Sequence, residues 1–472
     1  MTAQRLSRRS DPAMHTGIVH LGLGAFFRAF GCPIIAQAAD GDDWGVTGVS
    51  LRSPDTRDAL QDQGWAYTAV SKGPQGEHPT VIEVLRDVLV APEDPAAVLR
   101  AMADPHVQIV TLTVTEKGYC HTPATGALDI SHPDIVHDLA HALPKSAIGF
   151  LVRALAMRHA AGLAPFTVMS CDNLPQNGRL LRGVVLEFAA LCDPALRDWI
   201  AAEGAFPSTM VDRITPATTA DDITRLAQTT GRYDAAPVFH EPFAQWVIED
   251  SFVASHPDFE TAGAQVVPDV AAYEDMKLRM LNGTHSALAY CGYLSGFDTI
   301  AQTAADPVLA AFARGLWAEI IPAVAAPDGV DLDAYAVSLF DRYANPNIAH
   351  RTWQIAMDGS QKLPQRILGT LADAHAAGRD TPCLHMAVAA WMFYVRGVDA
   401  AGKPIDVRDP MADELRKCAD ASTPKDMVAA VLGVRAIFPV GLAPRLQDPV
   451  TRAAADIWEN GIQSALERVV KP

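Results

Sequence analysis

The chain has 472 residues, 49% of them hydrophobic, and a formal net charge of −17. That length is too great for one ordinary core and predicts two domains or three, while the acidic balance argues against nucleic acid or an anionic membrane surface as a partner. No apolar run reaches the roughly 18 residues of a membrane span. No signal-peptide pattern opens the chain, and the seven cysteines are scattered without a CxxC pair. This fits reduced thiols in the cytoplasm better than a disulfide framework or a structural zinc site.

In chain order, residues 1–16 read as a polar, basic, mobile arm. GIVHLGLGAFFRAF (17–30) reads as a buried strand, a glycine turn and the start of a helix. WGVTGVSLR, VIEVLRDVLV and VQIVTLTVTEKGY read as further strands, AIGFLVRALAMRHAAG as a helix, and FTVMSCDN as a strand running into a loop. This alternation predicts an α/β domain with a mostly parallel sheet. After WVIEDSF the pattern turns to long helical periods separated by turn residues. A mainly helical C-terminal domain is expected over 280–472, with 17–279 as the sheet-bearing domain.

The first strand ends in His20-Leu21-Gly22-Leu23-Gly24-Ala25-Phe26-Phe27-Arg28. Gly22 permits a tight turn, and Gly24 lets the backbone approach a pyrophosphate at the next helix N-terminus. The sixth position of the usual GxGxxG is Phe27. The motif is therefore incomplete and fits turn glycines in any α/β protein as well. Phe26 and Arg28 join the candidate cofactor residues. The second strand ends in Ser50-Leu51-Arg52-Ser53-Pro54-Asp55. Asp55 suits the ribose hydroxyls of NAD; Arg52 suits a 2′-phosphate or stacks on adenine. The balance leans to NAD over NADP.

YEDMKLRMLNGTHSALAY (273–290) places a lysine, an asparagine and a histidine in one helical run. At about 100° per residue, Lys277, Glu274, His285 and Asn282 fall within one arc of about 140°. Lys277 suits a general base whose pKa burial depresses, Asn282 an N–H donor to a developing alkoxide, and His285 an orienting group for a hydroxyl. A snorkelling lysine, a local cap and a core histidine explain the same residues. Lysine also leaves Schiff-base chemistry open. Gly283 weakens the helix by about 1 kcal/mol relative to alanine, which a close approach by another backbone or a ligand would explain. Elsewhere, Glu116 and Lys117 follow a strand end, Asn173 follows another, and Asp212 sits beside Arg213 in an apolar setting. Arg351, Lys362 and Arg366 concentrate positive charge suited to a carboxylate. No metal motif is present.

The blocks GLGAFFRAF, TVTEKGYC, SCDNLPQNG, FPSTMVDRITPAT, EPFAQWVIED, YEDMKLRMLNGTHSALAY and DGSQKLPQR resemble the long-chain polyol dehydrogenase family, the mannitol dehydrogenase and hexuronate reductase group, over about residues 17–410. The resemblance implies a Rossmann-type N-terminal domain, a helical C-terminal domain, an active site between them, and NAD or NADP without a metal. It implies Lys277 as the base, Asn173 and Asn282 as oxyanion donors, His285 as the substrate-orienting histidine, Asp55 as the NAD-selecting acid and Glu116 as an aid to proton passage. Mannitol-oxidising members carry an arginine eight residues before the lysine of the DGSxK block; Gln354 stands there in this chain. Together with Lys117, the block HRTWQIAMDGSQKLPQR looks more like the fructuronate reductases. The expected reaction interconverts D-fructuronate and D-mannonate. Tagaturonate, mannitol/fructose chemistry and a non-catalytic nucleotide sensor are the alternatives. The expected partners are a small sugar acid or polyol, with oligomeric state left open.

Overall fold

The computed structural model describes residues 3–11, 15–123, 125–348, 350–399 and 401–471. The chain divides into two compact units, Met1–Ala271 and Ala272–Pro472. The division falls eight residues before the expected one at 279/280.

The first unit is built on five strands: β1 (Thr16–Leu21), β2 (Gly45–Ser50), β3 (Leu85–Val90), β4 (Ile109–Leu112) and β5 (Thr167–Ser170). Every neighbouring pair is parallel and the order is β3-β2-β1-β4-β5. This is the doubly wound order in which strand succession reverses at β1 and ligands bind beyond the carboxyl ends. Both faces are covered, so the strands are apolar on both sides. Val19, Leu21, Val110, Leu112 and Val168 pack with helices α2 (Ala147–Ala160) and α3 (Asn177–Cys192). Ile18, Val46, Val88, Ile109 and Met169 face Phe27, Phe30 and Ile34 on the other side.

Two expectations change here. VIEVLRDVLV is two strands, not one: Gly76–Ile82 pairs antiparallel with Tyr67–Gly73, and only Leu85–Val90 joins the parallel sheet. Glu83 marks the break, its carboxylate accepting from the backbone of Arg9 and Ser10. The N-terminal arm is accordingly held along its described length. Gln4–Arg5 pairs with Arg232–Tyr233, and Arg8 donates to the carbonyls of Gly64 and Leu85. Residues 12–14 of the expected arm lie outside the described residues.

The second unit is helical. Helix α6 (Pro382–Val395) is apolar on all sides, the pattern of a central buried helix. It packs against α4 (Thr284–Leu294) and α7 (Ala443–Val469), the latter broken at Gly461 (φ 77°). Helix α5 (Leu332–Tyr343) brings a tyrosine to the start of α4. Among the described residues no helix is long and apolar enough to cross a membrane.

Candidate active site

In the first unit a cleft of about 600 Å³ opens at the carboxyl ends of β1, β2 and β4, lined among others by Gly22, Gly24, Arg52, Thr113 and Lys117. Gly22 has φ +90°, and a Cβ there would lie 2.2 Å from the carbonyl oxygen of Thr113. Only glycine fits that turn. Gly24 caps helix α1 (Ala25–Ala29), and nothing but the Gly22 carbonyl comes near its missing side chain. The cleft is open in front of that helix, as a bound pyrophosphate requires.

The turn is fixed from below by His20. Thr113 Oγ1 donates to the Gly22 carbonyl, so it accepts from His20 Nε2–H, and Nδ1 accepts from Thr111. The imidazole is fully buried, and burial pushes its pKa down to about 3. Its ring lies flat on Phe27 at 3.5 Å. This explains the phenylalanine in the third glycine position: Phe27 supports the turn through His20, and Gly31, whose Cβ would meet the Phe27 ring at 2.3 Å, makes the room instead.

The loop after β4 is held from β5. Asp172 accepts from the backbone N–H of Val114 and Thr115 and from the Tyr119 hydroxyl. Burial raises its pKa against those three bonds. Thr115 (φ 63°) and Cys120 (φ 49°) are both left-handed, so Asp172 staples a strained loop. Glu116 and Lys117 lie exposed on that loop, and Asn173 is exposed beside Asp172.

Several expected cofactor and substrate residues in this unit stand elsewhere. Arg28 is buried, donates to the Ala236 carbonyl at 2.6 Å and lies over Tyr67; it ties the unit together rather than facing the cleft. Phe26 stacks on Phe30 and does not line the cleft. Asp55 begins the helix Asp55–Gln61, exposed, and accepts from Ser53 Oγ at 2.8 Å; it too is off the cleft wall. Asp212 is buried at the end of the strand Thr209–Asp212, in a separate small sheet. Its neighbour Arg213 donates to the carbonyls of Ala29 and Phe243, a structural use.

In the second unit the run 277–283 is not the α-helix that the sequence suggests. Lys277–Gly283 is a π-helix, continued by α4. Its i→i+5 rings give each residue less rotation than 100°, so Asn282 turns toward the side of Lys277 instead of lying 140° from it. The wide turn is held by side chains: Trp317 Nε1 donates to the Met280 carbonyl and the Tyr343 hydroxyl to the Leu281 carbonyl. A second π-helix, Pro364–Leu368, packs against the first. A Cβ at Gly283 would lie 2.7 Å from the Arg366 carbonyl. That glycine is the point of close backbone approach. Lys277 is 7% exposed, and Asn282 is half-buried.

His285, one turn on, is buried, stacked on Tyr343 and edge-on to His350 at 4.9 Å. Burial first, then the charges of Arg366, Arg342 and Lys362 and the neighbouring His350, hold its pKa well below the usual histidine range. Burial likewise lowers His350 to about 4 and Lys362 to about 8. Arg366 donates to Ser286 Oγ, and Lys362 to the carbonyls of Met357 and Ile355. Among the described residues neither cation has an ion-pair partner. His285 Nε2 and His350 Nδ1 are buried without a hydrogen-bond partner. Lys362 and Arg366 thus stand in the field around His285. Arg351 is exposed and outside that field, and Arg342, which the sequence reading missed, takes its place. The signal was present in DRYANPN, a polar and aromatic block closing an amphipathic helix. Among the described residues no three His, Cys, Asp or Glu side chains converge as a metal site.

Comparison with known proteins gives this geometry a family. The Rossmann domain of mannitol dehydrogenase matches residues 16–261, and the mannitol dehydrogenase C-terminal domain matches residues 269–458. The chain belongs to the mannitol dehydrogenase family. It is an oxidoreductase of a family that acts on secondary alcohols. The D-mannonate oxidoreductase of Escherichia coli (strain K12) is 44% identical to this family member over 466 residues, spanning 96% of this chain and 95% of that protein. A mannitol 2-dehydrogenase of Aspergillus fumigatus (strain CBS 144.89) is 40% identical over 472 residues, spanning 97% and 94%. The solved ternary complex of Pseudomonas fluorescens mannitol 2-dehydrogenase with NAD and D-mannitol is 37% identical, with a TM-score of 0.86 over 100% of this chain and 98% of that one.

Proposed function

We propose that this chain is an NAD(H)-dependent oxidoreductase that interconverts a keto-hexuronate and its hexonate, D-fructuronate and D-mannonate first among them. The observation that carries the reading is the group around His285. Two half-buried cations, Lys362 and Arg366, have no ion-pair partner among the described residues, and two buried imidazole nitrogens have no hydrogen-bond partner. Cations held partly out of water with no carboxylate in contact carry a desolvation cost that is only partly offset. A substrate carboxylate supplies that charge, and Arg366 can grip it with two parallel bonds. The 44% identity to a D-mannonate oxidoreductase supports the same substrate class.

The first unit's cleft fits a dinucleotide, because Gly22 can only be glycine and Gly24 leaves the front of the helix open. Gly22, Gly24 and Arg52, which line it, would hold it. A bound nicotinamide supplies the hydride in reduction and accepts it in oxidation. The chain's own side chains do the rest. Lys277 gives a proton to the carbonyl oxygen in reduction and takes it from the hydroxyl in oxidation. Asn173 and Asn282 donate N–H bonds to that oxygen as charge grows on it. Neutral His285 orients a substrate hydroxyl through Nε2. Glu116 assists passage of the proton to solvent. The seven free cysteines suit a reducing cytoplasm.

A second reading is mannitol oxidation, favoured by the 37% identity to an enzyme solved with D-mannitol. In it Lys362 and Arg366 bind hydroxyls. Nicotinamide absorbance assays with fructuronate, tagaturonate and fructose separate the two. The highest kcat/KM is expected for fructuronate; a preference for fructose overturns the hexuronate reading.

A further inference from the structure

Resting on the hexuronate reading above, we propose that Arg279 and Asp373 clamp the two π-helices in register, so that a substrate's carboxylate and its reacting oxygen meet their partners together. Arg279 stands two residues beyond Lys277 in Lys277–Gly283, so its side chain leaves the segment on the far side from that lysine. There its guanidinium serves three acceptors. Nε donates to Asp275 at 2.6 Å, and Nη1 donates to Asp373 at 2.5 Å and to the Ala323 carbonyl at 3.1 Å. Asp275 is a local partner, four residues back along the same run. Asp373 is not: it lies 94 residues on, in the helix Gly369–Ala376, which follows the second π-helix, Pro364–Leu368, without a break. One side chain thus joins the segment that carries Lys277 and Asn282 to the segment that carries Arg366.

The two segments already meet where a Cβ at Gly283 would press on the Arg366 carbonyl. One contact leaves them free to pivot; the Arg279–Asp373 pair supplies a second, and two contacts fix an angle. The order agrees, since 279 pairs with 373 and 283 with 366, as in segments that run in opposite directions. Electrostatics agree too. Burial pushes the Asp275 carboxyl up, Arg279 holds it down, and Asp373 adds a second negative charge near it. Without the guanidinium, two carboxylates would repel across the joint. Arginine suits the place, because its planar fork serves acceptors on both segments at fixed angles, which a lysine ammonium does not. The side chain of Asp373 is 53% exposed, so the pair adds little to stability; what it adds is alignment. Arg279 acts through Lys277 and Arg366 and is a positioning residue.

The test is initial-rate kinetics of the full chain with NADH and either fructuronate or fructose, in the wild type, Asp373→Ala and Asp373→Glu. A loosened clamp leaves the competent alignment less populated, and a hexuronate that spans both segments restores it at a cost in affinity. In Asp373→Ala, KM for fructuronate should therefore rise about fivefold, the most that a half-exposed ion pair can hold, with kcat kept. Both constants for fructose, which has no carboxylate, should stay as they are, and Asp373→Glu should behave as the wild type. A merely structural aspartate would instead lower kcat for both substrates together. That result, an unchanged KM for fructuronate in Asp373→Ala, or an equal defect in Asp373→Glu, overturns the clamp and leaves the hexuronate reading intact. A wild type that prefers fructose removes the hexuronate reading and this proposal with it.

Discussion

Lys277 is 7% exposed at the first position of a π-helix, so its side chain is kept from bulk water, and the proposed acid–base role rests on that position. Lys277→Ala should lower kcat by about 10²- to 10⁴-fold, the usual worth of a positioned acid–base group, while NADH affinity by fluorescence titration stays nearly unchanged. An affinity loss as large as the rate loss would sink that role. Lys362 gives a pH test. Burial and then Arg366 lower its pKa to about 8, with Asp358 and Asp409 pulling the other way. Below that value it is an ammonium and attracts a carboxylate; above it, the charge is lost. KM for fructuronate should therefore rise as pH passes through 8, while KM for fructose stays flat, in initial-rate profiles over pH 6–10. Parallel profiles for the two substrates would remove Lys362 from carboxylate recognition. At this scale Lys277, Asn282 and His285 stood out as candidates because three polar residue types interrupt an apolar helix. Arg28 was misread because its burial depends on the Ala236 carbonyl, some two hundred residues away.

The π-helix at Lys277–Gly283 changes the angles that the helical wheel gave. A wheel assumes one period, and 277–283 has another. The widening is imposed by donors distant in sequence, Trp317 and Tyr343, which hold the Met280 and Leu281 carbonyls, so nothing local announces it. Gly283 did announce itself, and its meaning is the contact with the Arg366 carbonyl. A methyl at that position meets backbone, which cannot swing aside. Gly283→Ala should cost about 1–3 kcal/mol in urea unfolding, as overpacking does. It should also raise KM for the hexuronate, because it moves the segment that carries Arg366. A fully active, equally stable variant would mean the two segments slide freely. In the first unit the strand–turn–helix reading survived an imperfect motif. Phe27 broke the GxGxxG pattern, yet the close packing was kept by His20 below the turn and Gly31 beyond it.

At the scale of the whole chain, alternating strands and helices followed by long helical periods were enough to read an α/β unit and a helical one, because each buries its own core. The small sheets were not legible: the strand Tyr67–Gly73 finds its partner in Val238–His240, far along the sequence. With a net charge of −17 any anion site must be a local exception, and both candidate sites gather cations. The central claim is that the half-buried cations Lys362 and Arg366 of the second unit recognise a carboxylate. The measurement that tests it most directly is the ratio of kcat/KM for fructuronate to that for fructose, in the wild type and in Lys362→Met, which keeps most of the length of the side chain and removes its charge. The account predicts a ratio well above one in the wild type, falling by about tenfold or more in the variant, the loss of one charge-assisted contact. A variant that slows both substrates equally would contradict it.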